Sequence, residues 1–121
     1  IAVEAEKDEY AALLAQSLAD RLAEAASEWL HHHVRTSMWG YNRDEHTSLE
    51  ERMRGQYPGI RPAVGYPSLP DQSLMFTLAR LIDPAQAGVE ITSTGAMNPP
   101  SSVAGLYIAH PNARYFTVNL K

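Results

Sequence analysis

The chain reads as an α+β domain: a long N-terminal helix plus two shorter helices packed on a small antiparallel sheet. Three observations predict this class. No Gly or Pro falls between Lys7 and Arg35, four of the eight prolines crowd the middle of the chain at Pro58, Pro62, Pro67 and Pro70, and strand-forming residues collect after Gly88. Helices first and strands last is an α+β order, not a βα alternation. The 121 residues, 45% of them hydrophobic, suffice for one core but not two, so a single domain over 1–121 is expected.

The first helix is predicted from Lys7 to Arg35. Tyr10, Leu14, Leu18, Leu22, Ala25, Trp29 and Val34 recur near the helical period, with Ala, Gln, Glu and Arg filling the gaps. A helix of about 40 Å is unstable alone in water, so its apolar stripe is expected to lie against the rest of the domain. Met38, Trp39, Gly40 and Tyr41 suit a packed aromatic anchor followed by a polar loop. Thr47 and Ser48 each precede a Glu by three positions, giving two registers of a capping box for a short second helix that Gly55 ends. Tyr57–Pro70, with its prolines and with Gly59 and Gly65, is expected as neither helix nor central strand. Its apolar members Tyr57, Ile60, Val64, Tyr66 and Leu69 predict an ordered loop. Asp71 is the expected N-cap of a third helix whose apolar face is Leu74, Met75, Leu78, Ala79, Leu81 and Ile82, with Asp83-Pro84 as terminator. Two or three antiparallel strands are expected among Val89–Thr92, Val103–Ala109 and Tyr115–Leu120, with Asn98-Pro99-Pro100 as a rigid connection.

Charge and composition exclude several function classes. Ten Lys plus Arg against fourteen Asp plus Glu leave a net charge of −4, which argues against nucleic-acid binding. The charge is split: residues 1–51 carry a net −7 and residues 52–121 a net +3. Without cysteine there is no disulfide scaffold, thiolate metal site or thiol nucleophile. No apolar run reaches the roughly 20 residues of a membrane span, and the acidic start is unlike a signal peptide, so a cytoplasmic protein without membrane contact is expected.

The chemistry-bearing candidates are few. His31, His32 and His33 are consecutive, and Glu28 and His32 are spaced i, i+4. Adjacent helical side chains diverge by about 100°, so three such histidines do not converge on one metal ion, and a solvated helix end is the expectation. Asp20, Glu24 and Glu28 form an acidic i, i+4 ladder. It reads either as an exposed acidic face or as carboxylates presented to a cationic ligand group. No nucleophile elbow, dinucleotide fingerprint or P-loop is present. The strongest local pattern is Arg61-Pro62-Ala63-Val64-Gly65-Tyr66-Pro67. It combines a planar two-pronged donor for a carboxylate, proline-stiffened backbone, a glycine that permits close backbone approach and an aromatic wall.

With this loop, the sequence resembles the activation, AdoMet-binding domain at the C-terminal end of cobalamin-dependent methionine synthase. The likeness rests on ordered blocks: Ala19-Asp20-Arg21-Leu22-Ala23-Glu24-Ala25, Trp39-Gly40-Tyr41, Gly59-Ile60-Arg61-Pro62-Ala63 into Gly65-Tyr66-Pro67, Gly105-Leu106-Tyr107, His110-Pro111 and Tyr115-Phe116. The family's RxxxGY element is matched at Arg61, Gly65 and Tyr66. The resemblance implies an S-adenosylmethionine-binding module for reductive methylation of cob(II)alamin, with cobalamin held by the synthase's cobalamin-binding domain and an electron supplied by a flavodoxin-type donor. By position it implies Arg61 on the ligand's carboxylate, backbone of Ala63, Val64 and Gly65 at its amino group and Tyr66 flanking it. Glu24 would face its cationic end, and Tyr115 and Phe116 the adenosine. The family domain extends further at both ends, so a fragment or reduced version is expected, part of a methyltransferase and not a complete enzyme. The alternative reading is a non-catalytic docking or scaffold module that keeps the fold without AdoMet. The basic surface around Arg52, Arg54, Arg61 and Arg114 is the expected face for an acidic electron donor.

Overall fold

The computed structural model describes residues 2–118, with side chains from Lys7 onward. Helix α1 spans Ala2–His33 and passes into a π turn over Val34–Met38, where the Trp39 N–H reaches back to the Val34 carbonyl at 3.0 Å. The helix is the predicted one, but its stripe is not packed as expected: Tyr10, Leu14, Leu18, Leu22 and Trp29 are exposed, and only Val34 of the series is buried. Apolar period fixes which side chains share a face and leaves open whether anything covers it. Among the described residues no helix is long and apolar enough to cross a membrane.

The burial at this end of α1 is polar. His31 and Arg35 are fully enclosed, beside the apolar Val34, Val64 and Met75. Arg35 grips Glu45 with two bonds, Nε to Oε2 at 2.6 Å and Nη2 to Oε1 at 2.8 Å. Asn42 and Thr47 donate to the same carboxylate at 2.9 and 2.8 Å. This network ties the loop after α1 to the core; of the predicted aromatic anchor, Met38 and Trp39 are exposed and Tyr41 is the part that packs, its hydroxyl 3.4 Å from His31 Nε2. The expectation of a solvated histidine end also fails at His31, whose ring meets Tyr57 edge-on at 4.9 Å and Tyr107 at 5.3 Å.

Helix α2, Leu49–Met53, uses the Ser48 register of the capping box: Ser48 Oγ accepts from Glu51 N–H at 3.2 Å, and Glu51 Oε2 accepts from Ser48 N–H at 2.7 Å. Thr47 is occupied with Glu45. Helix α3, Leu74–Ile82, has Ser73, not Asp71, in the N-cap position. Asp71 instead accepts from Ser73 N–H and Oγ at 3.0 and 2.6 Å, an Asx turn one step before the helix. Met75 is the buried residue of its apolar face, and Asp83-Pro84 ends it as expected, leading into a 3₁₀ turn over Pro84–Ala87.

Among the described residues the sheet has two strands, the lower of the expected numbers, and the second is not one of the expected segments. Strand β1, Glu90–Ile91, pairs antiparallel with β2, Met97–Asn98, in the register Glu90↔Asn98 and Ile91↔Met97. The partner overlaps the segment read as a rigid connection at Asn98 alone. The expected strand Val103–Ala109 makes isolated bridges only, Ile60↔Ile108 and Ala63↔Gly105. Its partner is the proline segment: Ile60 and Ile108 exchange bonds at 2.9 and 3.0 Å, Leu106 N–H donates to Pro62 O at 3.0 Å, and Val64 N–H donates to Ala104 O at 2.9 Å. Pro62 has no N–H to return, so the ladder is interrupted. Gly105 permits the approach, since a Cβ there would sit 2.5 Å from the Pro62 carbonyl. The expected strand Tyr115–Leu120 is irregular through Val118, and its last residues lie outside the described ones. Its tie is Val118 N–H to Pro67 O at 2.9 Å, and again a proline offers no return donor.

Candidate functional site

Three segments surround an open cleft of about 520 Å³, within the size range of small-molecule sites. One wall is α1, which presents Glu24, Ser27 and Glu28, one helical turn apart and therefore on one face. The second is the proline-stiffened turn, with Arg61, Ala63, Tyr66, Pro67 and Ser68, and the third is Val103 with Tyr115, Phe116 and Thr117. The C-terminal wall is fixed to the turn at two points, by Val118 on Pro67 and by the Tyr115 hydroxyl, which accepts from the Arg61 N–H at 2.7 Å.

Six of the eight sequence-predicted residues, Glu24, Arg61, Ala63, Tyr66, Tyr115 and Phe116, line this cleft; Val64 and Gly65 do not. Val64 is buried, its N–H committed to Ala104, and the Gly65 N–H donates to Leu69 O at 2.9 Å. Gly65 has φ +87°, and a Cβ there would meet Gln72 Oε1 at 2.6 Å, so its glycine character serves the turn itself. The carbonyls of Val64 and Gly65 accept no hydrogen bond among the described residues.

Arg61 is the cation among the described residues that line the cleft; its side chain is 17% exposed, and it binds Glu28 Oε1 through Nη2 at 2.7 Å. Of the acidic ladder Asp20, Glu24 and Glu28, the resemblance singled out Glu24, whereas the carboxylate on Arg61 is Glu28. Glu24 is engaged with Arg21 at 3.0 Å, both side chains being well exposed, and a pair of that kind exchanges easily with water or a ligand. Behind Glu28 stands Tyr57, its hydroxyl 3.5 Å from Oε2. Burial first, then the Glu28 and Tyr115 charges, push the Tyr57 phenol up to about 12, so it stays a neutral donor. Tyr57 is itself clamped by the Arg35 guanidinium, 3.7 Å over its ring, and by His31. Burial, with Arg35 and Arg61 adding to it, holds His31 down at about 4 against the opposing pull of Glu45, so the ring is a neutral packing group at pH 7.

Among the described residues no group of three His, Asp or Glu is placed to hold a metal ion; His31 is in the core and His32 Nε2 lies 3.8 Å from Glu45 Oε1. A second cleft of about 790 Å³ lies beyond Glu28 and Tyr115, which line both, and carries Arg52, Arg54 and Arg114. Chemically, the first cleft offers a guanidinium, two carboxylates, free carbonyls nearby and aromatic walls. That donor set suits a molecule that is zwitterionic at one end and flat and apolar at the other.

The model of the family described as vitamin B12 dependent methionine synthase, activation domain, matches residues 2–120. Among solved structures, the crystal structure of the MetH reactivation domain bound to AdoHcy is 43% identical, with a TM-score of 0.88 over 96% of this chain. The chain spans 36% of that structure's length. With the family model matching residues 2–120 of this chain and the fold shared with a reactivation domain, the chain belongs to the activation-domain family of vitamin B12-dependent methionine synthase.

Proposed function

We propose that the cleft between α1 and the Arg61 turn binds S-adenosylmethionine for reactivation of cobalamin. The observation that carries this is the meeting, in one cleft, of Arg61 with the carboxylate face of α1 and the aromatic pair Tyr115-Phe116. Arg61 takes the ligand's carboxylate. The backbone of Ala63, Val64 and Gly65 receives the amino group; the Val64 and Gly65 carbonyls accept no other bond among the described residues, whereas the Ala63 carbonyl already accepts from the Tyr66 N–H at 3.2 Å. Glu24, with only a solvated partner, faces the cationic end, Tyr66 flanks the ligand, and Tyr115 with Phe116 covers the adenosine. The relative's bound AdoHcy supports this reading, because AdoHcy is AdoMet without its transferable methyl.

AdoMet supplies a methyl group on a sulfonium, ready for direct displacement. Such a step needs orientation more than proton transfer, and the residues of the cleft are orienting groups. In the whole protein we read this module as part of a methyltransferase. It presents AdoMet to cob(II)alamin carried by the synthase's cobalamin-binding domain, with an electron from a flavodoxin-type donor. The second cleft, with Arg52, Arg54 and Arg114, is the surface whose charge suits an acidic donor.

Calorimetric titration tests the ligand assignment. The wild-type chain binds AdoMet and AdoHcy, and Arg61→Ala weakens both about ten- to a hundredfold, the worth of a charge-assisted hydrogen bond. Equal heats from both proteins remove Arg61 from the site.

A further inference from the structure

We propose that Glu28 is a positioning residue for Arg61, holding the guanidinium ready for an amino-acid carboxylate; the inference rests on the AdoMet reading above. Arg61 is restrained at both ends. Its main-chain N–H is bound to the Tyr115 hydroxyl at 2.7 Å, and its Nη2 to Glu28 Oε1 at 2.7 Å. Its Nε is buried and has no partner among the described residues. With Nε enclosed and one Nη2 hydrogen on Glu28, the two Nη1 hydrogens and the second Nη2 hydrogen are left for a ligand. Glu28 is restrained in turn through the Tyr57 hydroxyl at 3.5 Å, and Tyr57 is fixed by Arg35 at 3.7 Å and His31 at 4.9 Å. A buried cluster thus reaches the cleft through Tyr57 and Glu28.

The two carboxylates on α1 therefore divide the work. Glu24, paired only with the exposed Arg21, is free to turn to a cationic ligand group, whereas Glu28 is spent on the arginine. A long flexible side chain that is already tethered loses less freedom on binding, and a planar fork held at one edge meets a carboxylate in a defined orientation.

The test titrates the 121-residue wild-type chain, Glu28→Gln and Glu28→Ala with AdoHcy and with methylthioadenosine, which keeps the adenosine and thioether but lacks the amino acid. Glu28→Ala is expected to weaken AdoHcy about tenfold, Glu28→Gln less, and neither to change methylthioadenosine binding, because only the carboxylate contact depends on the arginine's aim. If Glu28→Ala does not fold, Glu28→Gln, of the same shape and with an acceptor oxygen retained, carries the comparison. Unchanged or tighter AdoHcy binding overturns the inference, as does an equal loss on both ligands, which marks a general structural role. No binding by the wild-type chain overturns the AdoMet reading and this inference together; wild-type binding with an unaffected Glu28→Ala overturns this inference alone.

Discussion

Between Tyr10 and Leu22, helix α1 carries Tyr10, Leu14, Leu18 and Leu22, all exposed, Leu22 at 70%; between His31 and Arg35 the same helix encloses a histidine and an arginine completely. The apolar half has no cover among the described residues, and the polar half is core. What separates them is partners. Around His31 and Arg35 the chain supplies a carboxylate with two further donors, two tyrosine rings and the proline-stiffened segment. A charge held by a counter-charge and several hydrogen bonds tolerates burial, even though Arg35 Nη1 and His31 Nδ1 have no partner among the described residues; an apolar side chain needs a second surface.

The sharpest way to break this contrast is to remove one partner of the enclosed pair. Glu45→Ala leaves Arg35 buried without its counter-charge and is expected to cost about 3–5 kcal/mol of folding stability, read by urea denaturation. A loss below about 1 kcal/mol would mean that the pair is solvated in practice. Glu45 itself feels burial pushing its carboxyl up, but hydrogen bonds from Arg35, Thr47 and Asn42 outweigh this and hold it near 2.

Acid provides the next effect. His31 sits at about 4 in the folded chain against an ordinary 6.5, so below pH 6.5 the unfolded chain takes up the proton first. Stability is therefore complete above pH 6.5 and falls as pH drops through 4; the Glu45 contribution, complete above 4.5, is lost later, toward pH 2. Denaturation midpoints across pH 4–7 should decline for the wild-type chain and stay flatter for His31→Phe. A direct NMR titration of His31 near pH 6.5 would contradict the buried placement.

The smallest effect belongs to the other end of the helix. Leu22→Ser is expected to shift stability by no more than about 0.5 kcal/mol, as at other exposed positions. A larger loss in the same denaturation series would show that the stripe is covered in solution.

Much of this was legible in the sequence for identifiable reasons. Helix α1 follows from an unbroken run of helix formers, α2 from a capping box that offered only two registers, and the end of α3 from Asp83-Pro84. The turn at Arg61 stood out because proline and glycine restrict what the backbone does locally. Tertiary pairing was hidden: nothing local says that a proline segment serves as the edge for Leu106 and Ile108, or that Met97–Asn98 is the partner of β1. The enclosed His31 was missed because a run of three histidines carries no sign of which one faces Tyr57. The pairing of Glu28 with Arg61 was hidden because an acidic ladder looks alike at each rung until an arginine from 33 residues away meets one of them.

The central claim is that the Arg61 turn and the carboxylate face of α1 close on one ligand. A crystal structure of this chain soaked with AdoHcy tests it most directly. The amino-acid carboxylate is expected on Arg61, with the adenosine against Tyr115 and Phe116; density lying instead in the cleft of Arg52 and Arg114, with Arg61 touching only Glu28, would contradict the placement.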